Sequence, residues 1–160
     1  MPFQSYMTVS GKKQGQLKGS SSKKPGQSST SHIPIISFGY GTSVPYDAAS
    51  GLSSGKRAHS PVVITREVDS SSPALFHCFV TAEGFTTAVI ELPKPGSAGH
   101  STKGDTIELT NGFITAVSHA TSKGGKRRES LTLVFEDIKV NGAPGAPKGG
   151  VEHYWWRDTW

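Results

Sequence analysis

The sequence predicts a mainly β fold, either a small β-barrel or a two-sheet sandwich, flanked by one α-helix. Nineteen glycines and ten prolines among 160 residues favour short strands joined by many turns. Runs of β-type residues recur along the chain between segments rich in turn-forming residues. Helical periodicity is found in one stretch alone. A chain of this length suits a single domain with its own core.

Six runs have the composition of strands. They cover residues 3–9, 32–44, 60–69, 85–92, 106–120 and 128–140. Pro34 indicates a sheet edge or a bulge near the start of the second run, because proline cannot donate to a ladder. The pair Asn111-Gly112 inside the fifth run is a strong hairpin signal, but the same residues also fit one long strand kinked at the glycine. At this level both interpretations remain open.

The single helix is predicted over about residues 72–83. Ser72 is placed as its N-cap and Pro73 as its first helical residue, where a missing N–H costs nothing. Gly84 is suited to the left-handed conformation that ends a helix. One apolar stripe with helical spacing is predicted to be buried, and it consists of Leu75, Cys78, Phe79 and Ala82.

The formal net charge of +5 comes from one segment. Residues 11–31 hold five lysines and no acid, and the rest of the chain has equal numbers of basic and acidic residues. Leu17 is the one large apolar residue in this segment, so we expect a mobile basic loop. No aromatic residue accompanies the lysines, which argues against a specific nucleic-acid site. Residues 122–130 are interpreted as a second basic segment, a turn between two strands.

No pattern in the sequence indicates an enzyme, a metal or a cofactor. The histidines are too widely spaced for a metal-ligand motif, and Cys78 is interpreted as a buried structural thiol. Neither a signal peptide nor an apolar run long enough to cross a bilayer is present, so we expect no membrane insertion. Two possibilities remain for its location: the protein is cytosolic, or it is exported by a machine that accepts the folded form.

One long segment stands apart from the strands. Residues 45–60 are rich in small and turn-forming residues, and loops of this length in a compact domain tend to be functional. The stretch DAASGLSSGKRAHSPVVITREVDSSSPALF (47–76) resembles the haemolysin-coregulated protein (Hcp) family of type VI secretion systems. There an extended loop with a Gly–basic–x–His segment leads into a strand and a Ser-Pro-capped helix. The corresponding residues here are Gly55, Arg57, His59, Pro61 to Val68, Ser72, Pro73 and Leu75.

The start of the chain supports the same resemblance. The turn GKxQG is present at Gly11, Lys12, Gln14 and Gly15, and the later β runs follow the family's order. The resemblance implies a tube domain over residues 1–142 and a Pro/Gly-rich tail with an aromatic cluster over 143–160. It also implies that residues 106–120 are one long strand, which favours the kink at Gly112 over the hairpin.

The function that the resemblance implies is structural. Subunits of this family form hexameric rings that stack into a tube, inside a contractile sheath and behind a spike protein, and the tube carries effectors. The protein would reside in the bacterial cytoplasm before assembly and leave through the type VI system without a signal peptide. The alternative is a monomeric β-barrel that binds anions or nucleic acid through its basic loops.

We hypothesise that the 45–60 segment is one of two different patches that a closed ring requires. The hypothetical interface set is Tyr46, Asp47, Leu52, Lys56, Arg57, His59, Glu67 and Asp69. The helix is expected to complete the core, with an open alternative in which its polar residues Ser71, Thr81 and Glu83 face the lumen of the ring.

Overall fold

A computed structural model describes residues 4–19, 32–95, 101–142 and 151–154. These ranges contain one α-helix, α1 (Ser72–Val80), and eleven β-strands. The strands before the helix are β1 (Ser5–Gly11), β2 (Gly15–Gln16), β3 (Ile33–Ile35), β4 (Ser37–Gly39), β5 (Thr42–Ser43), β6 (Ala58–His59) and β7 (Val62–Glu67). Those after it are β8 (Phe85–Pro95), β9 (Ser101–Thr121), β10 (Arg127–Asn141) and β11 (Val151–Tyr154).

One antiparallel sheet contains most of these strands, in the order β2-β1-β8-β9-β10-β7-β4. The segment Ile33–Gly39 links its two ends, because β3 pairs with β1 and β4 pairs with β7. The curved sheet encloses a core of alternating side chains, and α1 packs against it through Leu75 and Cys78. The predicted fold class, mainly β with one flanking helix, is confirmed.

The long strand β9 resolves the ambiguity at Asn111-Gly112 in favour of a single strand. Asn111 has φ +49°, and β9 continues through it while pairing with β10 on both sides of the kink. The hairpin alternative is therefore wrong. A Cβ at Gly112 would lie 2.1 Å from the carbonyl oxygen of Val134 and 2.3 Å from Cζ of Phe85. Glycine is needed here because the Phe85 ring covers the strand at this position.

The basic segment 11–31 differs from the expected mobile loop over its first part. Gly11 ends β1, residues 12–14 form a turn, and the chain returns as β2. Leu17 is buried in the core, and its N–H donates to the carbonyl of Val9. The buried Leu17 side chain and this hydrogen bond therefore help to order the first part of the segment. Residues 20–31 lie outside the described ranges.

The second predicted strand, 32–44, is interrupted. Ile36 separates β3 from β4, and Tyr40 and Gly41 separate β4 from β5. The first interruption lets the segment leave β1 and join β7. Part of the predicted tail, Val151–Tyr154, forms β11 on the edge of β10. The domain boundary at residue 142 stays a prediction.

Both ends of the helix differ from their predicted positions. The N-cap is Ser71 rather than Ser72, and Pro73 lies in the first turn. The helix stops at Val80, and Ala82 is exposed with φ +52°. Ala82 is therefore not part of the buried stripe, and it takes the left-handed conformation expected of Gly84. Gly84 instead lies against β9, where an added Cβ would be 3.0 Å from the Gly112 carbonyl oxygen.

We predict that Gly112→Ala lowers the free energy of unfolding by about 3 kcal/mol, because the added methyl overlaps a main-chain oxygen and the Phe85 ring. Urea unfolding followed by circular dichroism measures the change. Gly39→Ala is the matched control: its Cβ would meet nothing closer than the Val63 oxygen at 3.9 Å, so a change below about 1 kcal/mol is expected. Equal stability of both variants would contradict this account of Gly112.

Candidate functional site

Residues 42–59 form a two-stranded finger, here called the arm. At its base β5 and β6 pair through Thr42–His59 and Ser43–Ala58. Further out, a bridge joins Tyr46 and Ser53, and the N–H of Ser54 donates to the carbonyl of Pro45 at 2.9 Å. The backbone of the predicted loop is therefore held in a hairpin-like form along its length.

The base of the arm is anchored by three aromatic rings. His59 is buried, and its Nδ1 lies 2.9 Å from the Tyr40 hydroxyl. The two rings stack at 15°, and the Phe135 ring of β10 meets both of them edge-on at 6.3 Å. Burial raises the pKa of Tyr40, opposed by its hydrogen bond with Thr42 and by the charge of Arg57. The arm is thus fixed to the core at its root.

The tip of the arm is closed by its own hydrogen bonds. The Asp47 carboxylate accepts from the Ser50 hydroxyl at 2.8 Å and from the N–H of Ala49 at 3.1 Å. These bonds, the Ser50 hydroxyl first, hold the pKa of Asp47 below its usual value, so the group is an anion at neutral pH. Gly51 follows with φ +70°, which completes the turn.

The outer part of the arm is fully exposed. Every residue from Val44 to Ala58 is exposed, and the side chains of Tyr46 and Leu52 are 71% and 70% accessible. Tyr46 and Leu52 therefore place apolar surface on an ordered projection of the chain.

The structure divides the eight hypothetical interface residues into three groups. Five lie exposed on the arm: Tyr46, Asp47, Leu52, Lys56 and Arg57. His59 is buried at the root, so its contacts lie within the subunit. Glu67 and Asp69 lie at the C-terminal end of β7, whereas the arm enters β7 at its N-terminal end.

Asp69 belongs to a buried ion-pair network. It pairs with Arg66, whose side chain is fully buried and also donates to the Ser71 hydroxyl at 2.7 Å. The Ser72 hydroxyl accepts from the N–H of Asp69 at 3.1 Å. Asp69 therefore helps to fix the start of α1 within its own chain, and its place in an interface between copies stays a prediction.

Arg66 is also part of a charged row across three strands. The register aligns Arg66 of β7 with Glu129 of β10 and His119 of β9. The buried Glu129 carboxylate lies 3.9 Å from the guanidinium and 3.4 Å from His119 Nε2. The fully buried Arg66 guanidinium supplies the positive charge that compensates this buried carboxylate.

The polar side chains after the helix have a structural role. The Glu83 carboxylate accepts from the N–H groups of Gln14 and Lys13 at 2.8 and 2.7 Å. These backbone hydrogen bonds, that of Gln14 foremost, lower the pKa of Glu83. Ser71 and Glu83 are buried, which contradicts the lumen-facing alternative for both, while Thr81 is exposed.

Gln14 ties the β1–β2 turn to α1. Its Nε2 lies 3.1 Å from His77 Nδ1 and donates to the Cys78 sulfur at 3.1 Å. Burial raises the pKa of the Cys78 thiol, and the negative charge of Glu83 adds to this effect. A protonated, buried thiol is a core residue rather than a nucleophile.

The described ranges contain neither a metal-binding cluster nor a membrane-spanning helix. No three His, Cys, Asp or Glu side chains within them are placed to hold a metal ion. The helix found there is too short to cross a membrane, and no other described segment forms a long apolar helix.

Some functional residues were missed at the sequence level. Tyr40 and Phe135 pack against His59 at the root of the arm. Neither residue belongs to a sequence motif that marks the arm. Phe135 lies on β10, and nothing in the sequence indicated that His59 would pack on it. Arg66 was missed as well, because a buried arginine has no local signal.

Comparisons with known proteins give a consistent result. A family model described as "Type VI secretion system effector, Hcp" matches residues 6–141. The "Major exported protein" of Pseudomonas aeruginosa is 27% identical over 123 residues, which is 73% of this chain and 72% of that protein.

Solved structures share the fold over almost the whole chain. Hcp1 of E. coli EAEC 042 superposes with a TM-score of 0.82 at 23% identity, covering 96% of this chain and 99% of that one. The secreted protein Hcp3 of Pseudomonas aeruginosa has a TM-score of 0.76 at 20% identity, with 95% and 97% covered. A crystal structure described as an Hcp protein has a TM-score of 0.85 at 18% identity, with 96% and 99% covered.

We predict that Glu83→Gln lowers the free energy of unfolding at neutral pH. The free energy of unfolding of this variant should also depend less on pH than that of wild type. Because the folded-state pKa of Glu83 is lowered, its contribution is complete above the unfolded value of about 4.3 and is lost as the pH falls through the folded-state pKa. Urea midpoints measured between pH 7 and 3 test this, and the two curves should converge at the acid end. Glu67→Gln, at an exposed carboxylate, is the control and should lower the urea midpoint at pH 7 less than Glu83→Gln does. A constant gap between wild type and Glu83→Gln would contradict the prediction.

Proposed function

Since the chain belongs to the Hcp family of type VI secretion proteins, we propose that it is a tube subunit, whose copies form hexameric rings that stack and carry effectors. The contractile sheath, the spike protein and the effectors are its partners in this proposal. The protein resides in the cytoplasm before assembly and leaves through the machine that it helps to build. The resemblance at residues 47–76 and the similarity of fold both support this role.

The observation that carries the proposal is the arm. Its root is packed into the core by His59, its tip is closed by Asp47, and its outer surface exposes Tyr46 and Leu52. The arm is ordered, yet its apolar side chains are not covered within its own chain. A neighbouring copy that covers these side chains would account for both features. This is what a subunit of a larger assembly requires.

A second, different surface is needed for a ring, because closed rings are built from heterologous contacts. Strand β9 offers one. Its pairing with β8 ends at Gly112, and within the described ranges no strand pairs with that edge over residues 113–121. Free backbone donors and acceptors on a strand edge are a ready site for pairing with another chain. The arm and this edge are distinct parts of the subunit, as a heterologous contact demands.

The basic β9–β10 turn supports the rival function, a monomeric anion-binding module. Four cationic side chains are exposed around this turn: Lys123, Lys126, Arg127 and Arg128. Native mass spectrometry separates the two functions, because a tube subunit yields a multimer of defined copy number. A chain that stays monomeric and binds single-stranded DNA in a salt-sensitive way would favour the rival.

We predict that the double substitution Tyr46→Ser with Leu52→Ser leaves a folded subunit with a loss of at least about tenfold in tube assembly, because the apolar contact surface of the arm is removed. Electron microscopy of concentrated protein measures the tubes, native mass spectrometry measures the rings, and circular dichroism measures folding.

The matched control is Tyr46→Phe with Leu52→Met, which keeps the apolar area of both side chains. It should assemble like wild type. Undiminished tubes from the serine variant would show that the tip of the arm is not a contact surface.

A further inference from the structure

Strand β10 accepts the end of the chain on one of its two edges. One edge of β10 is occupied by β9 along the whole ladder. The other edge pairs with β7 as far as Leu133, and β11 pairs with it over Asp137–Val140. Within the described ranges β11 pairs with no other strand. The segment Asp137–Val140, here called the acceptor edge, is therefore a site that binds an added strand through its backbone.

The chain's own tail is held weakly at the acceptor edge. Val140 lies opposite Val151, so ten residues, 141–150, separate the last paired positions of two adjacent antiparallel strands. Connections within hairpins are usually about two to five residues long. A longer loop costs more entropy to close, and four of these ten residues are glycines, which lose the most freedom when ordered. The four residue pairs that β11 makes on a sheet edge offset little of this cost.

The acceptor edge lies beside the root of the arm. The Phe135 ring packs edge-on against His59, and the acceptor edge begins two residues further along the same strand, about 7 Å away. The arm joins β7 through Ser60, whose N–H donates to the carbonyl of Gly41 at 2.8 Å. The arm and the acceptor edge are therefore neighbours on one side of the subunit, and a copy that covers the arm comes close to both.

The connecting residues are long enough for the tail to reach from such a copy. Ten residues span up to about 33 Å when they are extended. One limb of the arm, the nine residues from Thr42 to Ser50 at the tip, spans at most about 30 Å. The tail of a copy bound even at the tip of the arm therefore reaches the acceptor edge.

We propose that in the assembled protein the tail strand Val151–Tyr154 of a neighbouring copy replaces the chain's own β11 on the acceptor edge. The inference rests on the proposed tube function and adds a second contact beside the arm. An exchanged strand forms the same ladder as the chain's own strand, so the exchange costs little once two copies are held together. Each copy gives its tail to one neighbour and accepts a tail from another. The contact is heterologous, as a closed ring requires.

A disulfide between two different chains tests the exchange. Lys139 lies directly opposite Glu152 in the ladder, and directly opposite residues are close enough for a disulfide. Chains with Lys139→Cys and chains with Glu152→Cys, distinguished by mass, are mixed, assembled, oxidised and identified by intact mass. The native Cys78 stays in place because it is buried. We expect at least about tenfold more mixed disulfide than in the control, because an exchanged tail holds the two thiols at high effective concentration.

The control pairs Glu152→Cys with Arg128→Cys, an exposed position at the opposite end of β10. This pair should give background cross-linking only. Native mass spectrometry of the wild-type chain and of the unoxidised mixtures measures the rings. Intact rings with no mixed disulfide above the control overturn the strand exchange and leave the tube function standing. A wild-type chain that remains monomeric at every concentration overturns both.

A single chain with both Lys139→Cys and Glu152→Cys supplies a second readout. Oxidation of this chain as a dilute monomer locks the tail on its own β10. We expect the locked chain to form at least about tenfold fewer tubes, counted by electron microscopy, than the same chain after reduction, because it neither gives nor accepts a tail. Comparison with the reduced chain separates the effect of the lock from that of the substitutions. A locked chain that assembles as well as the reduced chain overturns the strand exchange.

Discussion

The antiparallel ladder between β9 and β10 holds the other parts of the subunit in position. It runs from Thr106–Asn141 to Thr121–Arg127, and each strand has a further partner on its outer edge for part of that length. The Phe135 ring of β10 packs against His59 at the root of the arm. Glu129 of the same strand pairs with Arg66, and Arg66 donates a hydrogen bond to Ser71 at the start of α1. Gly112 keeps β9 continuous under the Phe85 ring, so the ladder passes through a kink without ending. The arm and the helix are therefore oriented by one rigid pair of strands.

Local patterns were sufficient for the elements whose side chains alternate or repeat on one face. The position of α1 was predicted from Pro73 and from the spacing of Leu75 and Cys78, because burial of a helical face leaves a periodic trace. The end of the helix could not be predicted in this way. Ala82 takes a left-handed conformation that is unfavourable for alanine, in a turn that carries Glu83 into hydrogen bonds with the distant β1–β2 turn. A tertiary contact of this kind overrides the preference that favoured Gly84.

The same holds for the hypothetical interface residues: local sequence predicted the arm, but the roles that depend on distant residues could not be predicted. The length and composition of segment 45–60, together with its resemblance to the Hcp family, were enough to single out the arm. They did not reveal that His59 is a root residue, since its partners Tyr40 and Phe135 lie in other strands. Nor did they separate Asp69 from the arm, because its buried partner Arg66 is recognised only once β7, β10 and α1 are assembled. Leu17 was missed for a related reason, as composition averaged over a polar segment hides one buried side chain.

In the proposed tube, the closed tip of the arm affects how strongly subunits hold together. A segment that is already ordered before docking loses little conformational entropy when it binds, so a small contact area retains most of its favourable free energy. In a stacked assembly such a contact is made many times at once, and the combined avidity exceeds that of any single contact by orders of magnitude. Individually weak contacts also let a misplaced subunit dissociate before its neighbours trap it. A pre-ordered finger of this kind allows an assembly to correct itself while it grows and to remain intact once it is complete.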